Sequence, residues 1–534
     1  MLAIVAILYV RPYFVPGFFP THDGEWAVVR LAEMQREVKD LQIPPRWSDF
    51  LNHGFGYPLF SFTYPFPFYM GLFFRFLGFG YVETIKLLFI LSVFLSAYFM
   101  FLLGREIAGS WAGFIAAIFY TVAPFRLVNL YVRGSVGESI SLAIFPLLFY
   151  FGLKFIVKPN FWRLVCCSIT LAILILSHNI MALAFFPLFL LFLYFEIFTY
   201  YEDVKLYTFR YILPMFLLAF GLAAFFFLPA LVEKKFLLLS QIQLASLKDN
   251  FIKLPEFIVS SWDYGIKPSF QLGWAHLLAM VIGLVSLFFA KPVQRKKYAF
   301  LACYLIISII LLIVLTNGIS EKLWHLPPLS WLDFPWRFLT PLAFLLALSS
   351  VFLSLSKPAK AIGLLLAAIT VVISLRFARP YEFKYKPDVY YFTNDATTTS
   401  MDELMPLWVV DKPRDRYKDK VEIENGSATL ANIKYNSKKI EFTVNSQEKS
   451  LVKINSIYFP GWEYSLNGNK IDPDYRQKDG LVRFEVDPGM YKVKGVFTET
   501  PIRLAADLIS LASVSLIVVL TMLFVIKRLV VKRA

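Results

Sequence analysis

Run after run of about 20 mostly apolar residues, the length a helix needs to cross a bilayer, leaves this chain one kind of fold. Hydrocarbon offers backbone N–H and C=O groups no partner, so only helices and closed barrels span it, and runs of this length suit helices. They fall near residues 1–20, 82–103, 110–130, 138–157, 161–178, 180–199, 208–231, 272–290, 298–316, 335–356, 360–376 and 502–527. That makes roughly twelve spans by the length criterion. A hydrophobic fraction of 58% over 534 residues, 18% of them aromatic, agrees.

Short loops rich in lysine and arginine mark the cytosolic side. Lys154, Lys158 and Arg163 share one such loop, Lys291, Arg295, Lys296 and Lys297 another, Lys357 and Lys360 a third, and the chain ends KRLVVKRA. These alternate consistently if both termini are cytosolic. The net charge of +15 arises in these loops, because residues 377–500 carry nineteen basic and nineteen acidic side chains. Nucleic acid is therefore excluded as a partner. Cys166, Cys167 and Cys303 all lie in expected spans and behave there as small hydrophobes, with no disulfide framework implied. Arg11, Pro12 and Pro16 interrupt the first run, which reads as a short or clipped span rather than a signal peptide.

Three long loops and one large insert face the other way. The first, 21–80, opens with GEWAVVRLAEMQREVKDL, whose Trp26, Val29, Met34, Val38 and Leu41 suit a helix on the membrane surface. Its second half, GYPLFSFTYPFPFYMGLFFRFLGFG, reads as aromatic-rich interfacial helices, with a re-entrant segment as the alternative. Loops 232–271 and 317–334 follow. Residues 377–500 then switch to alternating runs, KKIEFTVNS, SLVKINSIYF and YKVKGVF, separated by the turn signals NGN, KDG and DPG. The expected architecture is an α-helical polytopic membrane protein with a non-cytosolic β-sandwich. It divides into a membrane domain at 1–376, the β-domain at 377–500, and a last span with its basic tail at 501–534.

All five histidines, His22, His53, His178, His276 and His325, fall at the non-cytosolic ends, as do Asp23, Glu25, Arg133, Glu138, Asp333 and Arg337. A polar face on an apolar bundle points to an active site there.

Several motifs carry a resemblance. THDGEW…PPRWSDFLNHGFGYPLFSFTYP at 21–65, YVRGSVGES at 131–139, LSHN at 176–179, LPALVEK at 228–234 and LDFPWRFL at 332–339 resemble a prokaryotic family labelled 6-pyruvoyl-tetrahydropterin synthase-related membrane domain. YFPGWEYSLNGN and VDPGMYKV are similar to the YfhO-like proteins. Both groups look like members of the GT-C superfamily of glycosyltransferases. That implies a GT-C-like, multi-span transferase, of the EC 2.4 class, using a polyprenyl-phosphate sugar donor. The superfamily's acidic residue after the first span corresponds to Asp23, and its second acidic position to Glu138. Here Glu138 opens the next helix, and Asp23 has His22 and Gly24 beside it rather than another acid. If a divalent metal ion takes part, Asp23 and Glu138 are its candidate ligands; no other cofactor is implied.

Sugar transfer from phosphate needs a base for the acceptor hydroxyl and positive charge for the leaving phosphate. Asp23 suits the first task and Arg133 and Arg337 the second, with His178 able to share either. His22, Arg46 and Asp333 complete the candidate substrate-binding set, and Trp262, Asp263, Tyr264, Trp324 and Trp331 could stack on sugar rings. Each has a plainer reading: Asp23 as a helix cap, Arg133 with Glu138 and Asp333 with Arg337 as local ion pairs, His178 as a satisfier of helix-end groups, Arg46 as an interfacial anchor. The favoured function is an inverting glycosyltransferase of the plasma membrane, acting at its outer face on an unidentified glycan, lipid or protein acceptor. A transporter or flippase of lipid-linked glycans, and a non-catalytic envelope assembly factor, are the alternatives.

Overall fold

The computed structural model describes residues 1–201, 207–265 and 268–533, with the side chains of residues 208, 209 and 527–533 outside that set. The side chains of the basic tail KRLVVKRA therefore lie outside the described residues. Among the described residues, eight helices are long and apolar enough to cross a membrane, from Tyr81–Ala108 to Pro501–Ile526. A ninth crossing exists if Ser110–Thr121 and Pro124–Arg133, bent by 46°, form one broken span. The remaining three apolar runs form shorter helices, Leu2–Phe14, Phe161–Ser177 and Trp274–Phe288. Local sequence shortens them: Pro12 and Pro16 interrupt the first, Asn160 and His178 cap the second, and Gly273 at φ +90° precedes the third. Seventeen residues rise only about 25 Å, short of a hydrocarbon core of about 30 Å. The chain is a multi-pass membrane protein.

The bend in the broken span has a local cause. Pro124 stands at the first position of the second helix, where its missing N–H is harmless, and it cannot continue the first. The second helix finishes as a π-turn, Asn129–Arg133, closed by Gly134 at φ +62°.

Polar contacts sort the loops into two ends. Helix Val136–Val157 starts with Glu138 and finishes near Lys154, which pairs with Glu106 at 3.0 Å. Lys297 donates to the Ile107 carbonyl at 3.5 Å in the same region. At the other end the long loops are knitted together. Phe18 and Lys384 exchange backbone hydrogen bonds, Ile457 donates to the Phe55 carbonyl, and Leu238 and Leu239 donate to the Met405 and Glu403 carbonyls. Helix Gly24–Lys39, expected on the membrane surface, is instead packed inside protein: Val28, Leu31 and Met34 are fully buried, while Leu41 is 71% exposed. The segment around helix Asp388–Phe392 covers it, with Lys386 and Tyr391 both reaching Glu25. Helices Leu59–Phe62 and Phe66–Phe76 form the aromatic half of the loop.

Eight strands occupy the C-terminal insert: β1 Val421–Asn425, β2 Ala428–Tyr435, β3 Lys439–Ser446, β4 Ser450–Ile457, β5 Trp462–Leu466, β6 Asn469–Ile471, β7 Leu481–Val486 and β8 Gly489–Phe497. They form two antiparallel sheets, β1-β4-β7 and β2-β3-β8-β5-β6. In β3 the alternating Ile440, Phe442 and Val444 are buried, as the period-2 pattern requires. Residues 378–420 precede the strands as helix Asp388–Phe392 and otherwise irregular chain laid over the first loop, outside both sheets. Trp47 of that loop enters the domain against Phe459, Trp462 and Phe497.

Candidate active site

The turn 21–24 docks on the π-turn through its backbone. His22 N–H donates to the Val132 carbonyl at 3.1 Å and Asp23 N–H to the Arg133 carbonyl at 2.8 Å. Gly134 permits this approach, because a Cβ there would collide with the Thr21 side chain and come within 2.9 Å of the Gly24 nitrogen. Asp23 occupies the N-cap position of helix Gly24–Lys39, yet its carboxylate caps nothing; Thr21 Oγ1 accepts from Gly24 N–H at 2.9 Å instead. The Asp23 carboxylate forms no hydrogen bond or ion pair among the described residues, in a half-buried setting. Chemically, that is an available acceptor for a proton.

Next to it lies a buried network. Arg133 pairs with Glu138 and donates to Asn129 Oδ1 at 2.7 Å, both through Nη1, and lies 4.7 Å over the Trp336 ring. Its Nε and Nη2 make no hydrogen bond to described residues, leaving donors for an anion. Glu138 has no such freedom. Oε1 accepts from Asn129 at 3.0 Å and from Thr340, Oε2 takes Arg133, and the residue is wholly buried. Glu138 was expected to be catalytic; its filled oxygens make it the residue that holds Arg133 in place. Gly137 lets Tyr64 and the Ser177 carbonyl close over the same corner.

His178 stacks on Tyr64 with ring centroids 4.8 Å apart. Its Nδ1 accepts the Met181 N–H at 3.2 Å, which requires a neutral ring carrying its proton on Nε2. His178 therefore satisfies a helix amide while offering Nε2–H as a donor. His22 donates from Nε2 to the Gly265 carbonyl at 2.8 Å, with the Tyr264 backbone also within its reach. Burial lowers its pKa, so it too is neutral at physiological pH. Asp333 and Arg337 form the expected ion pair at 3.2 Å, with Arg337 within electrostatic reach of Arg133 and Glu138.

The structure thus gathers His22, Asp23, Arg133, Glu138, His178, Asp333 and Arg337 around one corner. Arg46 is not among them. Its guanidinium is buried against Glu499 at 2.9 Å, Asp507 at 2.8 Å and the Phe225 carbonyl, where it fastens the last helix to the first loop. Trp324 is buried with its indole donating to the Leu315 carbonyl, a packing role. Among the described residues no three His, Cys, Asp or Glu side chains lie close enough to hold an ion, and both Glu138 oxygens accept hydrogen bonds within the protein.

Residues 60–381 match a family described as "6-pyruvoyl-tetrahydropterin synthase related domain; membrane protein". The chain belongs to this family. The match takes in Arg133, Glu138, His178 and Arg337, while His22 and Asp23 precede it. No curated protein sequence matches. Among solved structures the chain is similar to the arabinofuranosyltransferase AftD from Mycobacteria, with 15% identity and a TM-score of 0.41, over 71% of this chain and 26% of that one. A mutant of the same protein gives 14% identity and 0.40, over 71% and 27%. The chain thus spans about a quarter of AftD's length.

Asn129, Tyr64 and Thr340 were not foreseen as parts of the corner. Asn129 had a signal, standing four residues before Arg133 on one helical face. Thr340 joins Glu138 across 202 positions and had none.

Proposed function

We propose that this protein is a membrane glycosyltransferase that moves a sugar from a polyprenyl-phosphate donor to an acceptor at the outer face of the plasma membrane. The observation that carries the reading is the free carboxylate of Asp23 on a turn bonded to the Arg133 backbone, together with the unfilled Nε and Nη2 of Arg133, both side chains acting electrostatically on Tyr64. Asp23 takes the proton of the acceptor hydroxyl as its oxygen bonds to the anomeric carbon. The bond from that carbon to the phosphate oxygen breaks with inversion, and its electron pair leaves on the phosphate. Arg133 meets the negative charge that develops there, and the Nε2–H of His178 adds a neutral donor. Glu138 and Asn129 are positioning residues for Arg133, and Arg337, paired with Asp333, stands at the edge of the corner. Membership of a membrane-protein family and the gathering of the long loops at the end opposite Lys154 and Lys297 support an outer-face site with cytosolic termini.

A second reading is a flippase for lipid-linked glycans. The broken span favours it, because Arg126 lies buried just after the break with Nε and Nη1 unpartnered. One experiment separates the two. Purified protein in liposomes is given a polyprenyl-phosphate sugar and candidate acceptors, and the lipid products are followed by mass spectrometry. Acceptor-dependent release of free polyprenyl phosphate supports transfer; movement of intact donor between leaflets without release supports the flippase.

A further inference from the structure

A second polar feature lies beyond the corner just described. A cleft of about 480 Å³ opens between residues 258–264, the start of helix Trp274–Phe288 and the end of helix Lys357–Ser374. None of the gathered corner residues lines it. Two arginines on its rim, Arg376 and Arg379, are exposed, and neither guanidinium has an ion pair or hydrogen bond among the described residues. None of its lining residues is acidic.

The walls add two buried polar atoms without partners. The indole Nε1–H of Trp262 is an unmatched donor. His276 donates from Nε2 to the Phe119 carbonyl at 2.9 Å, so its unpartnered Nδ1 is an acceptor suited to a hydroxyl. Leaving such atoms unfilled is costly unless something polar visits them. The apolar side of the cleft runs out onto surface: Ile258 is 49% exposed, Val259 77% and Trp274 42%. Cations at the rim, unfilled polar atoms in the wall and an apolar exit make an amphiphilic site.

We propose that this cleft binds a lipid carrying a phosphate ester. Arg376 and Arg379 hold the phosphate, the Trp262 indole donates to it, a headgroup hydroxyl meets His276, and the chain lies along Ile258 and Val259. A turn links this site to the corner without merging them, since the Tyr264 hydroxyl donates to the Arg379 carbonyl and the Gly265 carbonyl accepts from His22, each at 2.8 Å. The proposal needs no transfer chemistry and stands apart from it.

Native mass spectrometry of the full chain in detergent tests it with farnesyl phosphate, dioleoyl phosphatidylglycerol, dioleoylglycerol and inorganic phosphate. One or both phosphate lipids should bind, and the R376Q/R379Q variant should weaken that binding at least about tenfold, the scale of a charge-assisted hydrogen bond. Which lipid binds identifies the source, a polyprenyl carrier or a bilayer phospholipid. Equal binding by the variant, or by dioleoylglycerol, overturns the phosphate contact. Inorganic phosphate displacing the lipid at equal concentration overturns the lipid part. Bound lipids are counted per chain, so a farnesyl phosphate held at the corner stays in the R376Q/R379Q variant while the copy held at the cleft is lost. Should the double variant give poor yield, a photoactivatable farnesyl phosphate must crosslink within residues 258–262; crosslinks confined elsewhere refute the assignment.

Discussion

Replacing Gly134 by alanine should detach the turn that carries Asp23 while leaving the bundle folded. At φ +62° an L-residue is destabilised by roughly 1–2 kcal/mol in the left-handed backbone. The added methyl would also stand 2.7 Å from Thr21 Cβ and 2.9 Å from the Gly24 nitrogen, an overpacking of the kind that costs about 1–3 kcal/mol. Together these give about 2–5 kcal/mol, against about 1–3 kcal/mol net for two backbone hydrogen bonds, so the turn yields before the helices do. Hydrogen exchange reads this directly: the amides of His22 and Asp23, bonded to the Val132 and Arg133 carbonyls, should exchange at least about thirtyfold faster, the factor for about 2 kcal/mol. Gly78→Ala is the control, because Gly78 has φ +94° but nothing within 4 Å of an added Cβ. It carries backbone strain alone. Equal protection at His22 and Asp23 in the Gly134 and Gly78 variants would mean that Gly134 does not hold the turn against the Val132 and Arg133 carbonyls.

Glu138→Ala leaves Arg133 buried without its counter-charge and should destabilise the protein by about 3–5 kcal/mol, read as a fall in thermal midpoint. Glu138→Gln keeps the shape and should fold while lowering the transfer rate; equal transfer by the glutamine variant would remove the positioning role. Burial raises Glu33 to about 8 against the pull of Arg36, and burial also raises Glu37, against hydrogen bonds from the Ser48 hydroxyl and the Arg46 backbone. Native Glu33 thus holds a proton that the unfolded chain sheds near pH 4.5, so its stabilisation is full below that pH and lost as pH rises through about 8. Denaturant midpoints measured across that window should fall with pH, and the Glu33→Gln variant should show a shallower fall; parallel curves contradict the assignment. Cysteines placed at Asn469 should react with an impermeant thiol reagent in intact cells, and labelling only after lysis would reverse the whole orientation.

Local chemistry made much of this molecule readable. The NGN turn joins β5 to β6, the DPG turn joins β7 to β8, and three alternating runs became β3, β4 and β8, because hairpins are specified by residues that touch within a few positions. The Asp333–Arg337 and Arg133–Glu138 pairs were legible for the same reason, lying four and five residues apart. Helix Gly24–Lys39 was legible as a helix, but its burial was not, since what covers it arrives some 360 residues later as Lys386 and Tyr391. Arg46 misled for a like reason: its partners Glu499 and Asp507 are more than 450 positions away, and nothing near PPRW hints at them. Arg376 and Arg379 look like ordinary helix-end cations until loop 258–264 folds beside them. Segments fixed by neighbours can be read from sequence, and segments fixed by distant partners cannot.

Asp23 bears most of the functional argument, and Asp23→Asn is the sharpest measurement available. Asparagine keeps the size and leaves the Thr21 cap and the backbone bonds to Val132 and Arg133 intact, so exchange protection of the turn should be unchanged. Only the proton acceptor is lost. Release of polyprenyl phosphate from a polyprenyl-phosphate sugar by the reconstituted variant should fall at least about 100-fold in kcat, the contribution of a positioned base. Near-normal kcat in a variant whose His22 and Gly24 amides keep their protection would contradict Asp23 as the base, and with it the proposed chemistry.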